Sequence, residues 1–466
     1  MAQIPPYRAA SLNDEASERQ APEPPSGRER LVIRRSYWVF WLLFGINTLN
    51  YLDRLIAVAV GPTLKTEFHL TNGDIGMISS AFLLVYTLAA LPAGALADRL
   101  GARAKVISLG VALWSVFSGL TASVRGYAGL FVTRALVGVG EASYSPAGVA
   151  LLSAYFPKER RAGVIGRWQA GQTLGALLAF VISGLLFSWL PAPAAWRVAF
   201  LVTAAPGLVL AALIWRVADH PAERSGARMA ALGQRARASG GSLAVSPVAE
   251  AQSLARQTLQ ALRIPMIWIV VVLQALSFIV ITPSVTFLPI YVRAAHGPFR
   301  LSAAHASFAL GVALVAGGFL GAVLGGALSD RLNRRLRGGR VLAVTVGFAG
   351  AIPCFLVMLL TSSLPVFLIA SALTTLALNL PGAALTATPQ DVAPPYLWAT
   401  ALAVTMLLSH LLGDIWAAWA VGALSTALHD RLAPALLLVG LPSLALGCAL
   451  SLFGSRVYAR HKPAYQ

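Results

Sequence analysis

The sequence predicts an all-α membrane protein with twelve transmembrane helices, arranged as two six-helix halves around a central cavity. Of the 466 residues, 57% are hydrophobic and only 12% are charged, whereas soluble domains carry about 25% charged residues. The apolar residues fall into twelve long segments, and one long polar stretch divides these segments six and six. This composition excludes an ordinary soluble enzyme, and it excludes a disordered chain because so much apolar surface must be buried.

Twelve segments approach or exceed the length that a membrane helix requires, which is about 20 predominantly apolar residues. In chain order they lie at residues 37–62, 74–97, 104–124, 127–154, 161–189, 197–217, 264–292, 302–328, 340–360, 363–388, 397–427 and 432–455. Several are longer than one bilayer crossing, so we expect tilted helices or helix ends that lie in the membrane interface.

The polar stretches define the domains. The first six segments form an N-terminal bundle over residues 37–217, and the last six form a C-terminal bundle over 264–456. Residues 1–36 are polar and rich in Pro, Glu and Ser, which predicts a disordered cytoplasmic tail, and residues 457–466 form a second tail. In the linker, residues 218–263, apolar residues recur near helical spacing, which is compatible with an interfacial helix or with a partly ordered tether.

Basic residues mark one side of the predicted membrane protein. Lys and Arg number 36 against 18 Asp and Glu, which gives a net charge of +18. Most of them fall in the tails, the linker and the loops after even-numbered segments. Because cytoplasmic loops carry the excess of Lys and Arg, we expect a multi-pass protein with both termini in the cytoplasm. This clustering explains the positive net charge, so we expect no nucleic acid as a partner. The expected surroundings of the chain are membrane lipids. The excess of Arg over Lys and the abundant Ala indicate a GC-rich bacterial genome, so we expect the inner membrane of a bacterium.

An internal repeat supports the division into halves. The stretch GALADRLGAR at 94–103 follows the second segment, and GALSDRLNRR at 326–335 follows the eighth. The offset is 232 residues for the Gly, Asp and Arg that they share. The two halves are therefore predicted to be parallel repeats.

Two charged residues in different segments are predicted to meet inside the membrane. Asp53 in the first segment and Arg134 in the fourth lie about 13 and about 10 Å below the outer surface, given the rise of an α-helix. Ionisable groups at this depth are costly and mark functional sites, so we expect an ion pair between them. Arg54, the next residue, points away by about 100° and pairs elsewhere or lines the outer entrance.

This pair suggests how proton and anion movement would be linked. An anionic substrate that takes Arg134 removes the cation that keeps Asp53 ionised, and Asp53 is then more easily protonated. Glu141 lies seven residues after Arg134, hence on the same helix face, and is the candidate for a second proton site. The alternative is a permanent ion pair that only joins the first and fourth segments.

Other polar residues within the apolar segments are candidates to line the cavity and bind the substrate. With Arg134 they are Asn47, Asn50, Tyr51, Gln169, Gln172, Asn379 and His410. In the second half the repeat offset places Val285, Val366 and Leu373 where the first half has Asp53, Arg134 and Glu141. A cavity with one charged and one apolar wall suits an amphipathic anion, with its head on segments 1 and 4 and its tail on segments 7 and 10.

An enzyme interpretation would use His410 and Asp414, which are four residues apart and share a helix face. Two ligands are too few for a metal site, and no nucleophile accompanies them. The chain also has no phosphate-binding lysine motif that would indicate ATP. We therefore expect no catalytic residue, metal or cofactor, and we keep an intramembrane enzyme as an alternative of a different class.

The two repeated loops resemble the paired signature loops of the major facilitator superfamily, and with the twelve segments and the linker the resemblance covers nearly the whole chain. Further stretches resemble the Spinster group of that superfamily: NTLNYLDR at 47–54, RALVGVGEASYS at 134–145 and SHLLGD at 409–414. The first of these also resembles anion–cation symporters, so the second and third carry the assignment to Spinster.

The resemblance implies alternating access by rocking of the two bundles, and transport of lysophospholipid-like or sphingosine-phosphate-like anions. It implies that Asp53 and Glu141 handle protons and that Arg134 handles the substrate. It also implies a cytoplasmic gate in the signature loops, formed by Asp98, Arg99, Arg103, Asp330 and Arg331. The second loop departs from the pattern, with Asn333 where the first has Gly101. The alternative to a gate is that Asp98 and Arg99 belong to a turn that only sets the topology.

The sequence thus predicts a proton-coupled secondary transporter of an amphipathic anionic lipid, which acts as a monomer. A symporter or exporter of a small organic anion or a drug is the alternative within the same class. A sensor or scaffold that kept the fold but lost transport would bind the ligand without moving it.

Overall fold

A computed structural model describes residues 27–156, 158–219, 247–294, 297–394 and 397–461. Its regular secondary structure in these ranges is helical. Twelve of its helices, or consecutive helix pairs, are long and apolar enough to cross a membrane within the described residues. The predicted all-α class and the twelve spans are therefore confirmed.

The N-terminal half contains seven helices in the described ranges. They are α1 Gly27–Glu67, α2 Asn72–Leu100, α3 Arg103–Thr121, α4 Tyr127–Ala142, α5 Tyr144–Tyr155, α6 Lys158–Trp189 and α7 Ala192–Trp215. Helix α1 begins ten residues before the expected first span, within the stretch that the sequence predicts to be a disordered tail. Helices α4 and α5 together form span 4.

The linker and the C-terminal half contain nine helices in the described ranges. They are α8 Pro247–Leu262, α9 Pro265–Arg293, α10 Ala303–Arg335, α11 Gly339–Leu360, α12 Leu364–Asn379, α13 Pro381–Val392, α14 Trp398–Leu412, α15 Asp414–Ala427 and α16 Leu432–His461. The linker helix α8 packs on α14, where Thr400 donates a hydrogen bond to Gln257 over 3.2 Å. Linker residues 220–246 lie outside the described ranges.

The two halves repeat the same helix pairing. In the first half span 2 packs on span 4, and span 3 packs on span 6. In the second half span 8 packs on span 10, and span 9 packs on span 12. This correspondence is what two parallel repeats of six spans produce.

Spans 4, 10 and 11 are each interrupted close to the middle. Span 10 breaks before Pro381, which has no N–H to continue the helical ladder. Span 11 breaks at Gly413, where a Cβ would collide with backbone atoms of Ala275 and Ser409. The break in span 4 directly follows Glu141 and Ala142, and the break in span 11 directly precedes Asp414. Two of the three interruptions therefore lie beside an acidic residue.

The halves meet mainly at one face of the bundle. We call the face where α1 begins and α16 ends the terminal face, and the opposite face the distal face. Across the halves, α2 packs extensively on α15, the distal part of span 11, and only slightly on α14, its terminal part. The helices approach so closely that a Cβ on Gly76 would overlap the backbone of Ala418 and Trp419.

Polar contacts reinforce this distal closure. Asn72 donates a hydrogen bond of 3.0 Å to Ser425 in the other half. Lys65 lies 3.1 Å from the Asp430 carboxylate, also across the halves. The space between the halves is therefore closed at the distal face in this conformation.

Candidate functional site

The expected ion pair between spans 1 and 4 is present. Arg134 Nη1 lies 2.9 Å from Asp53 Oδ2. The Asp53 residue is 0% exposed and Arg134 is 5% exposed. The pair lies inside the N-terminal half, and its contact shows that Asp53 and Arg134 lie at the same level of the bundle.

Two hydroxyl groups complete the surroundings of the Asp53 carboxylate. Ser118 of α3 and Thr203 of α7 both donate hydrogen bonds to Oδ1, the latter over 2.8 Å. Four spans therefore meet at one carboxylate. Sequence reasoning missed both hydroxyls, because serine and threonine are common in membrane helices and carry no specific signal there.

A second ion pair joins the same two spans. Arg54 Nε lies 2.5 Å from Glu141 Oε2, and Glu141 is 1% exposed. The other carboxylate oxygen, Oε1, is buried without a hydrogen-bond partner among the described residues. Sequence reasoning left the partner of Arg54 open, although an arginine side chain is long enough to reach a carboxylate deeper in the neighbouring helix.

Aromatic rings surround the two guanidinium groups. The Arg54 guanidinium lies 4.4 Å from the ring centre of Tyr86 and 5.4 Å from that of Tyr51. Phe82 lies against both arginines, at 5.3 Å from Arg54 and 5.6 Å from Arg134. Such contacts stabilise a cation that water does not reach fully.

A cavity of about 260 Å³ opens between the halves directly beside this cluster. Arg54 and Arg134 are the charged residues that line it. The other lining residues are Leu55, Ala57, Val58, Gly61, Ile75, Ile78, Ser79, Phe82, Leu83, Ile281, Thr282, Val285 and Thr286. The arrangement combines two cations with an otherwise mostly apolar wall.

The wall from the C-terminal half agrees in part with the expected asymmetry. Val285, which the repeat offset matched to Asp53, lines the cavity from α9. Val366 and Leu373 do not line it and are 42% and 46% exposed on α12. The offset was wrong for span 10, since α4 begins at Tyr127 and α12 at Leu364, which is 237 rather than 232 residues later.

His410 and Asp414 form a pair at the break in span 11. Their Nδ1 and Oδ2 atoms are 2.9 Å apart. The His410 ring stacks on Phe278 with 4.7 Å between ring centres. Within the described part of the chain no group of three or more His, Cys, Asp or Glu residues could hold a metal ion.

The remaining candidates for substrate contact lie in different surroundings. Asn47 donates to the Trp168 carbonyl over 2.8 Å, and Asn379 donates to a carbonyl of its own helix. The Asn50 amide nitrogen is buried without a partner among the described residues. Gln169 is exposed and Gln172 is half-buried, and both lie on α6.

The candidate gate residues are spread along the terminal face. The side chains of Asp98 and Arg99 lie outside the described residues. The backbone N–H of Arg103 donates to Asp219, which caps the start of α3. Asp330 and Arg331 are exposed at the end of α10.

Comparison with known proteins identifies the family. The model of the major facilitator superfamily matches residues 43–418. The chain belongs to this superfamily. Its membership makes it a multi-pass transporter-family protein rather than an enzyme, and it confirms the resemblance that the signature loops carry.

Individual members of the superfamily resemble parts of this chain. The galacturonate transporter of Dickeya chrysanthemi is 31% identical over 188 residues, which is 40% of this chain and 53% of that protein. The hexuronate transporter of Bacillus subtilis is 31% identical over 40% of this chain and 43% of its own length. Protein spinster homolog 1 of Xenopus laevis is 32% identical over 40% of this chain and 35% of its length. The alignments thus cover about half or less of these relatives.

Solved structures of the superfamily match over much more of the chain. An inward-facing, unoccupied bacterial homologue of the human lysosomal transporter Spinster superposes with a TM-score of 0.76. That match covers 93% of this chain and 99% of the homologue at 22% identity. The nucleoside transporter NupG superposes with a TM-score of 0.66 at 13% identity. The shared fold is that of two six-helix bundles.

Proposed function

We propose that this member of the major facilitator superfamily is a secondary transporter that couples protons to the movement of an amphipathic organic anion. The observation that carries the proposal is that both arginines of the central cavity are held by buried carboxylates, Asp53 and Glu141. The two ion pairs give the protein a cation site for an anionic head group and two groups that take up protons.

Competition for the arginines provides the coupling. An anionic head group that enters the cavity interacts with Arg54 and Arg134 and displaces their carboxylate partners. A buried carboxylate that loses its cation is costly to keep ionised, and a proton removes that cost. Asp53 and Glu141 are then the proton sites, and Arg134 together with Arg54 forms the anion site.

The cavity walls favour a substrate with an apolar body. Ser79, Thr282 and Thr286 are the hydroxyl side chains among the lining residues, and most of the others are apolar. A sugar acid needs a hydrogen-bonding partner for each buried hydroxyl, whereas an acyl chain needs none. We therefore propose a lysophospholipid-like or sphingosine-phosphate-like anion. Tyr51, whose ring centre lies 5.4 Å from the Arg54 guanidinium, is the proposed further contact near the head group.

A sugar acid is the second candidate. Two of the relatives, from Dickeya chrysanthemi and Bacillus subtilis, are named as galacturonate and hexuronate transporters. Their alignments are about as long as that with the spinster homologue. Uptake of both substrate types therefore needs to be measured in the same preparation.

Basic residues support an orientation in a bacterial inner membrane with the terminal face in the cytoplasm. In that orientation the conformation described here is closed to the outside. The signature loops, with Asp98, Arg99 and Arg103 in one and Asp330 and Arg331 in the other, form the cytoplasmic gate of the alternate state. One chain contains both halves of the pathway, so a monomer suffices for transport.

The test is uptake into proteoliposomes with an imposed pH gradient, using radiolabelled lysophosphatidate and radiolabelled D-galacturonate in parallel. We expect gradient-dependent uptake of lysophosphatidate that falls by about tenfold or more in Arg134→Gln, the size expected for a lost charged hydrogen bond. Arg125→Gln, which removes an exposed distal-face arginine, is the matched control. Uptake of galacturonate alone would overturn the lipid assignment, and uptake unaffected by the pH gradient would overturn the coupling.

A further inference from the structure

A second cavity lies on the distal face, outside the closure between the halves. Its volume is about 870 Å³, and its lining comes from both halves. The end of α1 and the following loop form one side, while the end of α9 and the turn between α15 and α16 form the other. This volume is within the range of pockets that hold drug-sized ligands, about 300–1,000 Å³.

The charge of this distal pocket is strongly positive. Its cations are Lys65, Arg293 and Arg431, and the carboxylate among the lining residues is Asp430. These cations come from parts of the chain that are far apart in sequence. Because a concave site lined by one sign of charge concentrates oppositely charged ligands, the distal pocket attracts anions.

Only part of this positive charge is neutralised by the protein. Lys65 interacts with Asp430 at 3.1 Å and with the Asn72 side-chain oxygen at 2.6 Å. Arg293 donates to the Thr63 hydroxyl over 3.0 Å, and no carboxylate pairs with it among the described residues. A half-buried guanidinium whose polar contact is a hydroxyl retains donors for an anionic ligand.

Apolar side chains supply the rest of the lining. Ile290 and Tyr291 extend from α9, and Leu432, Ala433 and Pro434 belong to the start of α16. The distal pocket therefore offers an apolar wall beside the cations. A ligand that uses both features carries a carboxylate or phosphate group on an apolar body.

We propose that the distal pocket is a second binding site for an amphipathic anion, separate from the central cavity, with Arg293 and Lys65 as its head-group contacts. Lys65 belongs to the N-terminal half and Arg293 to the C-terminal half, so the complete site exists only while the distal face is closed. A ligand that binds one of two conformations shifts the equilibrium toward it. An amphipathic anion bound here therefore holds the distal face closed and slows transport from that side.

Binding is tested with fluorescent lysophosphatidate on the full chain in phosphatidylcholine nanodiscs, with the signal of empty nanodiscs subtracted. We expect Arg293→Gln and Lys65→Met each to weaken a binding component by about tenfold, the size expected for a lost charged hydrogen bond. Arg125→Gln, which removes a distal-face arginine outside the pocket, leaves this component unchanged. Arg134→Gln also leaves it unchanged, which separates this site from the central cavity and from the proposed transport.

Loss of the component in Arg134→Gln but not in Arg293→Gln would overturn the proposal, since all binding would then be central. Displacement of lysophosphatidate by millimolar D-galacturonate would overturn the amphipathic ligand class.

A measurement of conformation on otherwise wild-type protein avoids variants that misfold. Spin labels at Ser123→Cys and Ser363→Cys, in a background without the native cysteines, report the separation of the halves at the distal face. Lysophosphatidate added to wild-type protein should narrow this distance distribution, and no change would contradict the proposed stabilisation of the closed state.

Discussion

Asp53 and Arg54 are neighbours in the chain, yet they form two ion pairs of opposite polarity with the same partner helix. Asp53 pairs with Arg134 at 2.9 Å, and Arg54 pairs with Glu141 at 2.5 Å. Helices α1 and α4 are thus joined twice, with a cation and an anion contributed by each. Both arginines line the central cavity, so an anion inside that cavity would lie beside both pairs.

The pair on Asp53 makes the first prediction. Asp53→Asn keeps a side chain of the same shape that still accepts hydrogen bonds from Ser118 and Thr203, but it removes the carboxylate that we propose as a proton site. We expect folded protein whose uptake no longer responds to an imposed pH gradient. Proteoliposome uptake at matched protein levels measures this, and an unchanged response would leave Asp53 as a structural partner of Arg134 only.

Glu141 is tested separately by Glu141→Gln. Its Oε2 atom accepts from Arg54 Nε, while its Oε1 atom has no hydrogen-bond partner among the described residues. The neutral amide therefore keeps one acceptor for Arg54 but removes the negative charge that would compete with a substrate anion. We expect tighter equilibrium binding of lysophosphatidate together with loss of gradient-driven uptake. Glu67→Gln, which alters a distal ion pair with Arg197, is the control. Weaker binding in Glu141→Gln would contradict competition between the carboxylate and the substrate.

The distal closure depends on small residues. A side chain at Gly76 would overlap the backbone of α15, so Gly76→Leu should hold the halves apart at the distal face. The spin-label pair at positions 123 and 363 should then show a longer distance distribution than in the parent. Gly166→Leu adds the same side chain where no atom lies within 4 Å and should leave the distances unchanged. Equal distances in both variants would mean that α2 and α15 do not control closure.

A charged cluster at the terminal face connects three helices, and a substitution in it should lower stability without affecting transport directly. Asp391 lies 2.7 Å from Arg340 and accepts a hydrogen bond of 2.5 Å from Tyr458, so it joins α11, α13 and α16. Asp391→Asn should lower the free energy of unfolding by about 1–3 kcal/mol, the size expected when the ion pair with Arg340 is lost and the hydrogen bond from Tyr458 no longer ends on a charged group. Asp330→Asn, at an exposed position near the end of α10, should change the free energy of unfolding by less than about 0.5 kcal/mol. Thermal unfolding in detergent compares the two.

Patterns that follow from helix geometry were predictable from the sequence. The twelve spans follow from apolar length, and the level at which Asp53 meets Arg134 follows from the rise of an α-helix. The contact between Arg54 and Glu141 was not predictable, because it depends on the rotamer of a long side chain. The choice of Ser118 and Thr203 as partners of Asp53 depends on how four helices pack, which spacing along one helix does not show.

The repeat was less informative for the second half. Helices of different length changed the offset between corresponding spans. The constant offset therefore matched Arg134 and Glu141 to Val366 and Leu373, which are exposed. The distal pocket was not predictable from the sequence, because Lys65 at the end of α1, Arg293 at the end of α9 and Arg431 in the turn before α16 are far apart in the chain. Only the packing of both halves shows that they share one cavity.

Coupling is tested most directly by measuring the movement of protons that accompanies the anion. Proteoliposomes loaded with a pH-sensitive dye would receive lysophosphatidate without any imposed pH gradient. We expect a change of the internal pH in vesicles with the wild-type protein and no such change in vesicles with Asp53→Asn. Uptake of the labelled lipid with no pH change in the wild type would contradict proton coupling through the two buried ion pairs.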